Sequence, residues 1–203
     1  MTNSISTSSA VRMVDEIDRA RAQEYALLAR LLTRSPDALL LSRLAGLRGD
    51  ASPIGVAHIA LAEAARRTDA ERASREFFSL FSGLGEGALL PYASHYLAET
   101  LYGRPLVRVR ETLDSLGIEK TPELMEPEDH AGFLCEIMAG LAGGSIAAPH
   151  GADGDFFERH LSPWIKRAFI DLEQAKSADF YASVGALGRT FIDIEAEAFA
   201  LPV

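Results

Sequence analysis

EPEDHAGFLCEIMAGLAGG, residues 126–144, joins a dense polar cluster to an apolar helical pattern. Pro127 suits the first turn of a helix, where backbone N–H groups have no partner within the helix. Acidic residues at the same place complement the positive end of the helix dipole. Apolar residues then follow at helical spacing: Phe133, Leu134, Ile137, Met138 and Leu141. This stretch therefore predicts a helix that begins at a polar cluster.

The same helical period extends through nearly all of the chain, without convincing strand alternation. Helix-start signals at Ser35-Pro36, Ser52-Pro53 and Thr68-Asp69-Ala70-Glu71, together with glycine stops, divide the chain into segments. The predicted helices lie near 12–34, 36–47, 69–83, 91–103, 105–117, 127–143, 155–176 with a bend at Ser162-Pro163, and 178–200, and a further helix is predicted to begin at Pro53. We therefore predict an all-α fold, a single globular bundle of about nine or ten helices.

Composition at the ends and middle of the chain suggests its organisation. Residues 1–11 are rich in serine and threonine, and we expect a disordered tail there. Residues 12–203 are predicted to form one helical domain. Within it, residues 143–155 hold four glycines and a proline, which predicts a linker or hinge loop.

Charge and cysteine content exclude several classes of protein. The net charge of −9 argues against nucleic-acid binding, which normally requires a basic surface. The single cysteine, Cys135, cannot form an intrachain disulfide, and this favours a reducing compartment. There is no apolar run as long as a membrane span and no pattern typical of a secretory signal. We therefore expect a cytoplasmic protein.

Most enzyme motifs that depend on fixed spacing are missing from the sequence. There is no Gly-Lys-Ser/Thr phosphate loop, no Glu-x-x-His pair, no His-Glu-x-x-His zinc motif and no Gly-x-Ser-x-Gly elbow. Asp129 and His130 could form an acid–base pair, but neighbours in a helix do not face each other. The alternative is that His130 is a half-buried side chain and that the carboxylates cap a helix. We predict no metal site and no cofactor.

Four motifs occur in order along residues 20–200. They are Tyr25-Ala26-Leu27-Leu28-Ala29-Arg30-Leu31-Leu32 with Pro36 and Asp37; Phe78–Phe81 followed by Pro91-Tyr92-Ala93-Ser94-His95-Tyr96-Leu97; Glu126-Pro127-Glu128-Asp129-His130; and His160-Leu161-Ser162-Pro163-Trp164 followed by Phe180-Tyr181. Together they resemble the TorD-like family of redox-enzyme maturation chaperones, and the third fits that family's Glu-Pro-x-Asp-His pattern in full. Ala93 departs from the family, because many relatives have glutamate there.

This resemblance implies a chaperone and not an enzyme. Such a protein binds the apo-form of a molybdenum-containing oxidoreductase catalytic subunit, often through its twin-arginine signal peptide, and holds it for cofactor insertion before release. The client could be of the formate dehydrogenase, nitrate reductase or sulfoxide/N-oxide reductase type. A signal peptide offers paired arginines and an apolar stretch, so its receptor needs carboxylates beside an apolar groove. Phe133 and Leu134 are predicted to supply the apolar side.

Carrying the family pattern onto this chain gives a predicted partner-binding site. Asp129 is expected to contact cationic groups, His130 to supply a hydrogen bond, and Pro127 to fix the junction between loop and helix. The predicted site residues are Glu126, Pro127, Asp129 and His130, with Tyr92 and Ser94 as secondary members.

Two other functions stay open at this stage. The chain could be a helical adaptor, a structural interaction protein whose polar cluster is only a cap. It could also be a nucleotide-binding enzyme that uses Asp129 and His130, because some relatives are associated with guanine nucleotides. Both a monomer and a homodimer are compatible with the sequence, and residues 143–155 could let helices exchange between protomers.

Overall fold

The computed structural model describes residues 14–82, 89–119 and 126–201. In these ranges the chain forms ten α-helices and no β-strand, which confirms the all-α prediction. The helices are Glu16–Thr33 (α1), Ala38–Ala45 (α2), Pro53–Arg67 (α3), Ala70–Phe81 (α4), Ala93–Ala98 (α5), Arg104–Ser115 (α6), Ala131–Ala142 (α7), Ala152–Phe156 (α8), Ile165–Gln174 (α9) and Phe180–Phe199 (α10). None of these helices is both long and apolar enough to cross a membrane.

Short polar side chains start several of the helices. Ser52 caps α3 as predicted, and its Oγ accepts a hydrogen bond from the backbone N–H of Gly55. The predicted starts of α2 and α4 were each placed too early, because the caps are Asp37 and Asp69. Each of these carboxylates accepts a hydrogen bond from an N–H in the first turn, so the aspartate takes the capping role from the preceding serine or threonine.

Helices from both ends of the chain share one hydrophobic core. Helix α1 packs along α7, while α10 packs against α9 and α3. Fully buried Tyr25 of α1 meets Phe191 of α10 edge to face, with ring centroids 4.7 Å apart. Gly132 lets the start of α7 approach α1 closely, since a Cβ atom there would lie 2.6 Å from Cγ2 of Thr33. The position of α7 is therefore set by tight packing.

The structure corrects the predicted helix boundaries on both sides of the polar cluster. The helix expected over 91–103 is only α5, Ala93–Ala98, and left-handed residues Glu99 and Tyr102 follow it. Helix α7 begins at Ala131 and not at Pro127, with His130 as its N-cap. The polar cluster consequently lies before the helix, as a separate segment.

The later part of the chain also differs from the prediction. The glycine-rich loop is shorter than 143–155, because α8 already begins at Ala152. The long helix expected over 155–176 consists of α8, a π-helical turn at Phe157–Leu161, and α9. The predicted bend is confirmed, since a turn at 162–164 contains Pro163, which has no N–H to donate. The expected tail lies outside the described residues. The domain bounds 12–203 and the hinge stay predictions.

A buried ionic cluster connects α1, α8 and α10. The guanidinium of Arg21 donates to Glu195 at 2.8 Å, to Asp153 at 2.9 Å and to Asp18 at 3.0 Å. It also lies over the ring of Phe199, 4.8 Å from the centroid. Burial alone would lower the pKa of Arg21, but the hydrogen bonds and charges of Glu195 and Asp153 together outweigh burial and raise the pKa. Arg21 therefore holds three helices together as a cation.

Replacing Arg21 with methionine is expected to reduce the free energy of unfolding by about 3–5 kcal/mol, because buried Glu195 and Asp153 lose their cation. Urea denaturation at pH 7 measures the loss. Arg75→Met is the control, because Arg75 pairs with Glu71 on the exposed face of α4 and should cost no more than roughly 0.5 kcal/mol. Equal losses in the two variants would contradict the role given to Arg21.

Candidate partner-binding site

The segment before α5 and the segment before α7 lie side by side as a short antiparallel pair. Tyr92 and His130 form an isolated β-bridge. The backbone N–H of Ala93 donates to the carbonyl of Asp129 at 2.9 Å, and the N–H of Ala131 donates to the carbonyl of Pro91 at 2.7 Å. We call residues 91–94 and 126–131 the junction. It brings all six predicted site residues together.

Asp129 lies at the centre of the junction with its side chain fully buried. Its Oδ2 accepts a hydrogen bond of 2.8 Å from the backbone N–H of Ser94, which is also fully buried. The N-cap residue of α5 is Tyr92, and its own side chain makes no capping bond. Asp129 therefore caps α5 from another part of the chain, where the helix dipole also favours a negative charge.

His130 caps α7 in a similar way. Its Nδ1 accepts a hydrogen bond of 3.1 Å from the N–H of Gly132, so the ring proton must be on Nε2. His130 is buried, and its ring meets the ring of Tyr92 edge to face, with centroids 5.1 Å apart. Burial lowers the pKa of His130 to about 4, although Glu126 and Asp129 act in the opposite direction. At neutral pH, His130 is an uncharged helix cap.

The outward side of the junction consists of Glu126, Pro127 and Tyr92. Glu126 is exposed, while Tyr92 and Pro127 are half-buried. The hydroxyl of Tyr92 donates a hydrogen bond to the carboxylate of Glu126. Burial and this carboxylate raise the pKa of Tyr92, so the hydroxyl stays protonated and keeps donating. The junction thus presents one positioned carboxylate and one aromatic ring on its accessible side.

Two residues of the site were missed by sequence reasoning. Glu128 occupies the variable position of the Glu-Pro-x-Asp-His pattern, and its Oε2 accepts bonds from Nη2 of Arg110 at 2.9 Å and Nε at 3.1 Å. This pair connects the junction to α6, because Glu128 is buried and Arg110 reaches it from a more exposed position. No sequence signal marked Arg110, since the contact depends on how α6 packs.

Residues of the fourth motif, His160 to Trp164, make contacts with α5 and α6. Nε1 of Trp164 donates to the carbonyl of His160 at 2.7 Å, and Nε2 of His160 is 2.8 Å from Oγ1 of Thr112 on α6. The ring of Tyr96 lies 5.4 Å from that of Trp164, and its hydroxyl donates to Asp171 at 2.7 Å. These contacts tie α5, α6 and α9 together, so this motif has a structural role.

The apolar side of the site needs one correction. Leu134 is fully buried in the core, and it cannot contact a partner as predicted. Phe133, one position earlier, lines a surface groove between α1 and α7. Among the described residues, no group of three or more His, Cys, Asp or Glu side chains could hold a metal ion.

A sequence model of the nitrate reductase delta subunit family matches residues 48–169. The match covers more than half of the chain, and the chain belongs to this family of TorD-like redox-enzyme maturation chaperones.

Individual relatives agree with this assignment. The chain is 29% identical over 136 residues to chaperone protein TorD from Vibrio cholerae serotype O1, an alignment that covers 62% of this chain and 62% of TorD. It is 28% identical over 116 residues to a Haemophilus influenzae protein assigned as the Tat proofreading chaperone DmsD, covering 56% of this chain and 55% of that one. The chain thus spans less than two thirds of the length of these relatives.

A solved structure shares the fold. It is a crystal structure of a protein from Archaeoglobus fulgidus assigned to redox enzyme maturation, with a TM-score of 0.56 and 19% sequence identity. The superposition covers 85% of this chain and 93% of that protein. At this identity the likeness concerns the arrangement of helices alone.

The buried state of His130 predicts a pH dependence of stability. Its pKa is about 4 in the folded protein and ordinarily 6.5, so between these values only the unfolded chain takes up the proton. The contribution of neutral His130 to the free energy of unfolding is fully present above pH 6.5 and is lost as the pH falls towards 4. His130→Asn keeps an acceptor for the N–H of Gly132 but does not titrate. As the pH falls from 6.5 to 4, we expect the free energy of unfolding of the wild type to decrease by about 2–3 kcal/mol more than that of this variant.

Urea denaturation of both proteins at a series of pH values measures this difference. Carboxylates titrate in the same pH range, but both proteins contain the same carboxylates. Their effect on the free energy of unfolding therefore cancels in the comparison. His95→Asn is the control, because His95 is exposed and its variant should follow the wild type. Parallel curves for the wild type and His130→Asn would show that the folded state does not keep this ring neutral.

Proposed function

We propose that this chain is a cytoplasmic maturation chaperone for a molybdoenzyme. It binds the apo-form of the catalytic subunit, holds it for cofactor insertion and then releases it. Membership of the TorD-like family supports this role, as do the names of the relatives. The observation that best supports the proposal is the position of Glu126. Its exposed carboxylate accepts a hydrogen bond from Tyr92, next to the buried residues Asp129 and His130.

Recognition of a twin-arginine signal peptide fits the chemistry of the junction. A guanidinium group binds a carboxylate through geometrically specific hydrogen bonds, and it also stacks on aromatic rings. Glu126 and Tyr92 offer these two features side by side. The net charge of −9 attracts a cationic segment over longer distances. In this proposal the arginines of the peptide meet Glu126, and Pro127 fixes the direction in which Glu126 points.

Asp129, Ser94 and His130 have a positioning role in this proposal. Asp129 and Ser94 are fully buried, and their hydrogen bond to each other joins the two segments. The proposed role needs no catalysis, and an uncharged His130 that caps a helix is poorly suited to acid–base chemistry near neutral pH. These caps also favour the helical adaptor as a second candidate. The two candidates differ in whether Glu126 contacts a molybdoenzyme.

Client capture from the native cells tests the proposal. Tagged wild-type protein is compared with Glu126→Arg, and the proteins recovered with each are identified by mass spectrometry. The wild type should recover a catalytic subunit of the formate dehydrogenase, nitrate reductase or sulfoxide/N-oxide reductase type. Reversing the charge of Glu126 should reduce that recovery about tenfold or more, since it removes a charged hydrogen bond and adds repulsion.

Glu63→Arg is the matched control, because Glu63 is an exposed glutamate on α3, away from the junction. It should recover as much subunit as the wild type. Equal recovery with Glu126→Arg would place the binding site elsewhere and leave the chaperone role standing. Absence of any molybdoenzyme subunit from all three preparations would contradict the role itself and favour the adaptor. The same preparations, analysed by light scattering, distinguish a monomer from a homodimer.

A further inference from the structure

Arg110 and Glu128 form an ion pair at the junction, and the two side chains differ strongly in exposure. The side chain of Glu128 is 11% exposed, whereas that of Arg110 is 54% exposed. Nε and Nη2 of Arg110 both donate to the same oxygen, Oε2 of Glu128, at 3.1 Å and 2.9 Å. This differs from the stronger bidentate arrangement, in which each nitrogen meets its own carboxylate oxygen. Arg110 therefore covers a mostly buried carboxylate from the solvent side.

The buried ionic cluster of Arg21 provides a comparison within the same molecule. The side chain of Arg21 is only 14% exposed, and it pairs with carboxylates on α1, α8 and α10. Its departure would leave several buried charges without a partner, so Arg21 is a permanent part of the fold. Most of the Arg110 side chain is already in solvent. Arg110 can therefore move away at little desolvation cost, provided that another cation takes its place over Glu128.

The junction carries more negative charge than Arg110 neutralises. Glu126, Glu128 and Asp129 all lie within four consecutive residues. The hydrogen bond to Glu128 raises the pKa of Arg110 most strongly, and the charge of Asp129 also raises it, so the guanidinium interacts with both carboxylates. Oδ1 of Asp129 and Oγ of Ser94 are buried and find no hydrogen-bond partner within the ranges that the structure describes. The junction consequently favours an additional cation that carries hydrogen-bond donors.

The spacing of Glu126 and Glu128 suits two neighbouring arginines. Since they are two residues apart, their Cα atoms are separated by no more than about 7 Å. Consecutive residues of a bound peptide have Cα atoms about 3.8 Å apart, and the long arginine side chains can span the difference. One guanidinium can therefore meet Glu126 while its neighbour reaches Glu128, at the place that Arg110 occupies in the structure.

We propose that Arg110 is an internal competitor for the second arginine of the bound peptide. The first arginine of the pair meets Glu126, and the second displaces Arg110 from Glu128. This assignment rests on the proposed function and adds to it a residue that limits affinity. Because the new ion pair replaces one of the same kind, the second arginine contributes little net binding energy. The complex is therefore weaker than two arginine–carboxylate contacts would make it, which suits a chaperone that releases its client.

Fluorescence anisotropy with a labelled synthetic peptide tests this competition. The probe contains one Arg-Arg pair followed by an apolar stretch. Arg110→Gln should bind the probe about fivefold or more tightly than the wild type, because Glu128 no longer has an internal partner. Arg108→Gln is the matched control, since Arg108 is an exposed arginine on the same helix and its loss changes the net charge equally. The control should change the affinity by less than about twofold, because solvent and salt screen its charge.

Two further titrations show whether the gain in affinity depends on Glu128. Adding Glu128→Gln to Arg110→Gln should return the affinity to within about twofold of the wild type, because the carboxylate that the second arginine would reach is gone. A probe whose second arginine is replaced by glutamine should bind the wild type and Arg110→Gln equally. Circular dichroism and urea midpoints confirm that each variant is folded.

Hydrogen exchange in the wild type tests the displacement itself and does not depend on the folding of Arg110→Gln. The Nε–H of Arg110 donates to Glu128, and its NMR signal is identified by its absence from the spectrum of Arg110→Lys. Saturation with the Arg-Arg probe should speed exchange of this proton with solvent about fivefold or more, because it loses its acceptor.

The outcomes separate failure of the competition from failure of the proposed function. Unchanged or weaker probe binding by folded Arg110→Gln would overturn the competition, since a merely structural Arg110 predicts that result. An equal gain with Arg108→Gln, a gain that persists with Glu128→Gln, or unchanged exchange of the Arg110 Nε–H would also overturn it. So would the absence of probe binding to both the wild type and Arg110→Gln. The proposed function is judged separately, by recovery of a molybdoenzyme subunit in the capture experiment.

Discussion

The hydrogen bond between Asp129 and the backbone of Ser94 is the interaction on which the site depends. It joins two segments that lie 35 residues apart in the sequence and starts α5 from outside that helix. The neighbouring bonds, Ala93 to Asp129 and Ala131 to Pro91, fix the direction in which α7 leaves. Because α7 packs along α1, this small junction also sets the position of the groove between these helices.

A buried carboxylate is costly unless its charge is compensated, and the junction offsets part of this cost. Asp129 lies at the N-terminal end of a helix, where backbone N–H groups and the dipole favour a negative charge. His130 contributes its ring nitrogen as a neutral acceptor in the same way at α7. An apolar residue at either position would leave buried N–H groups without a partner. The polar identity of this motif thus follows from the geometry of the two helix starts.

Sequence periodicity was sufficient for the all-α class and for the approximate position of most helices, although several helix starts were placed a few residues away. It could not show that Asp129 caps α5, because that contact joins distant parts of the chain and has no local signal. The same limit applies to α10, where Glu76 of α4 accepts hydrogen bonds from the N–H groups of Asp179 and Tyr181, each at 2.7 Å. Helical spacing also left Phe133 and Leu134 equivalent, and only the packing of α7 shows that Leu134 is fully buried while Phe133, 7% exposed, lines a groove. The roles of the site residues stay predictions.

Asp129 and His130 make the junction rigid while Glu126 makes the contact with the client, and carboxyl footprinting tests this division of roles directly. Carbodiimide labels exposed carboxylates, and mass spectrometry reports the labelling of each one in the free chain and in its complex with the molybdoenzyme subunit. We expect Glu126 to lose labelling in the complex, while Glu63 and Glu71 keep theirs. Unchanged labelling of Glu126 in a complex that protects other carboxylates would contradict the account.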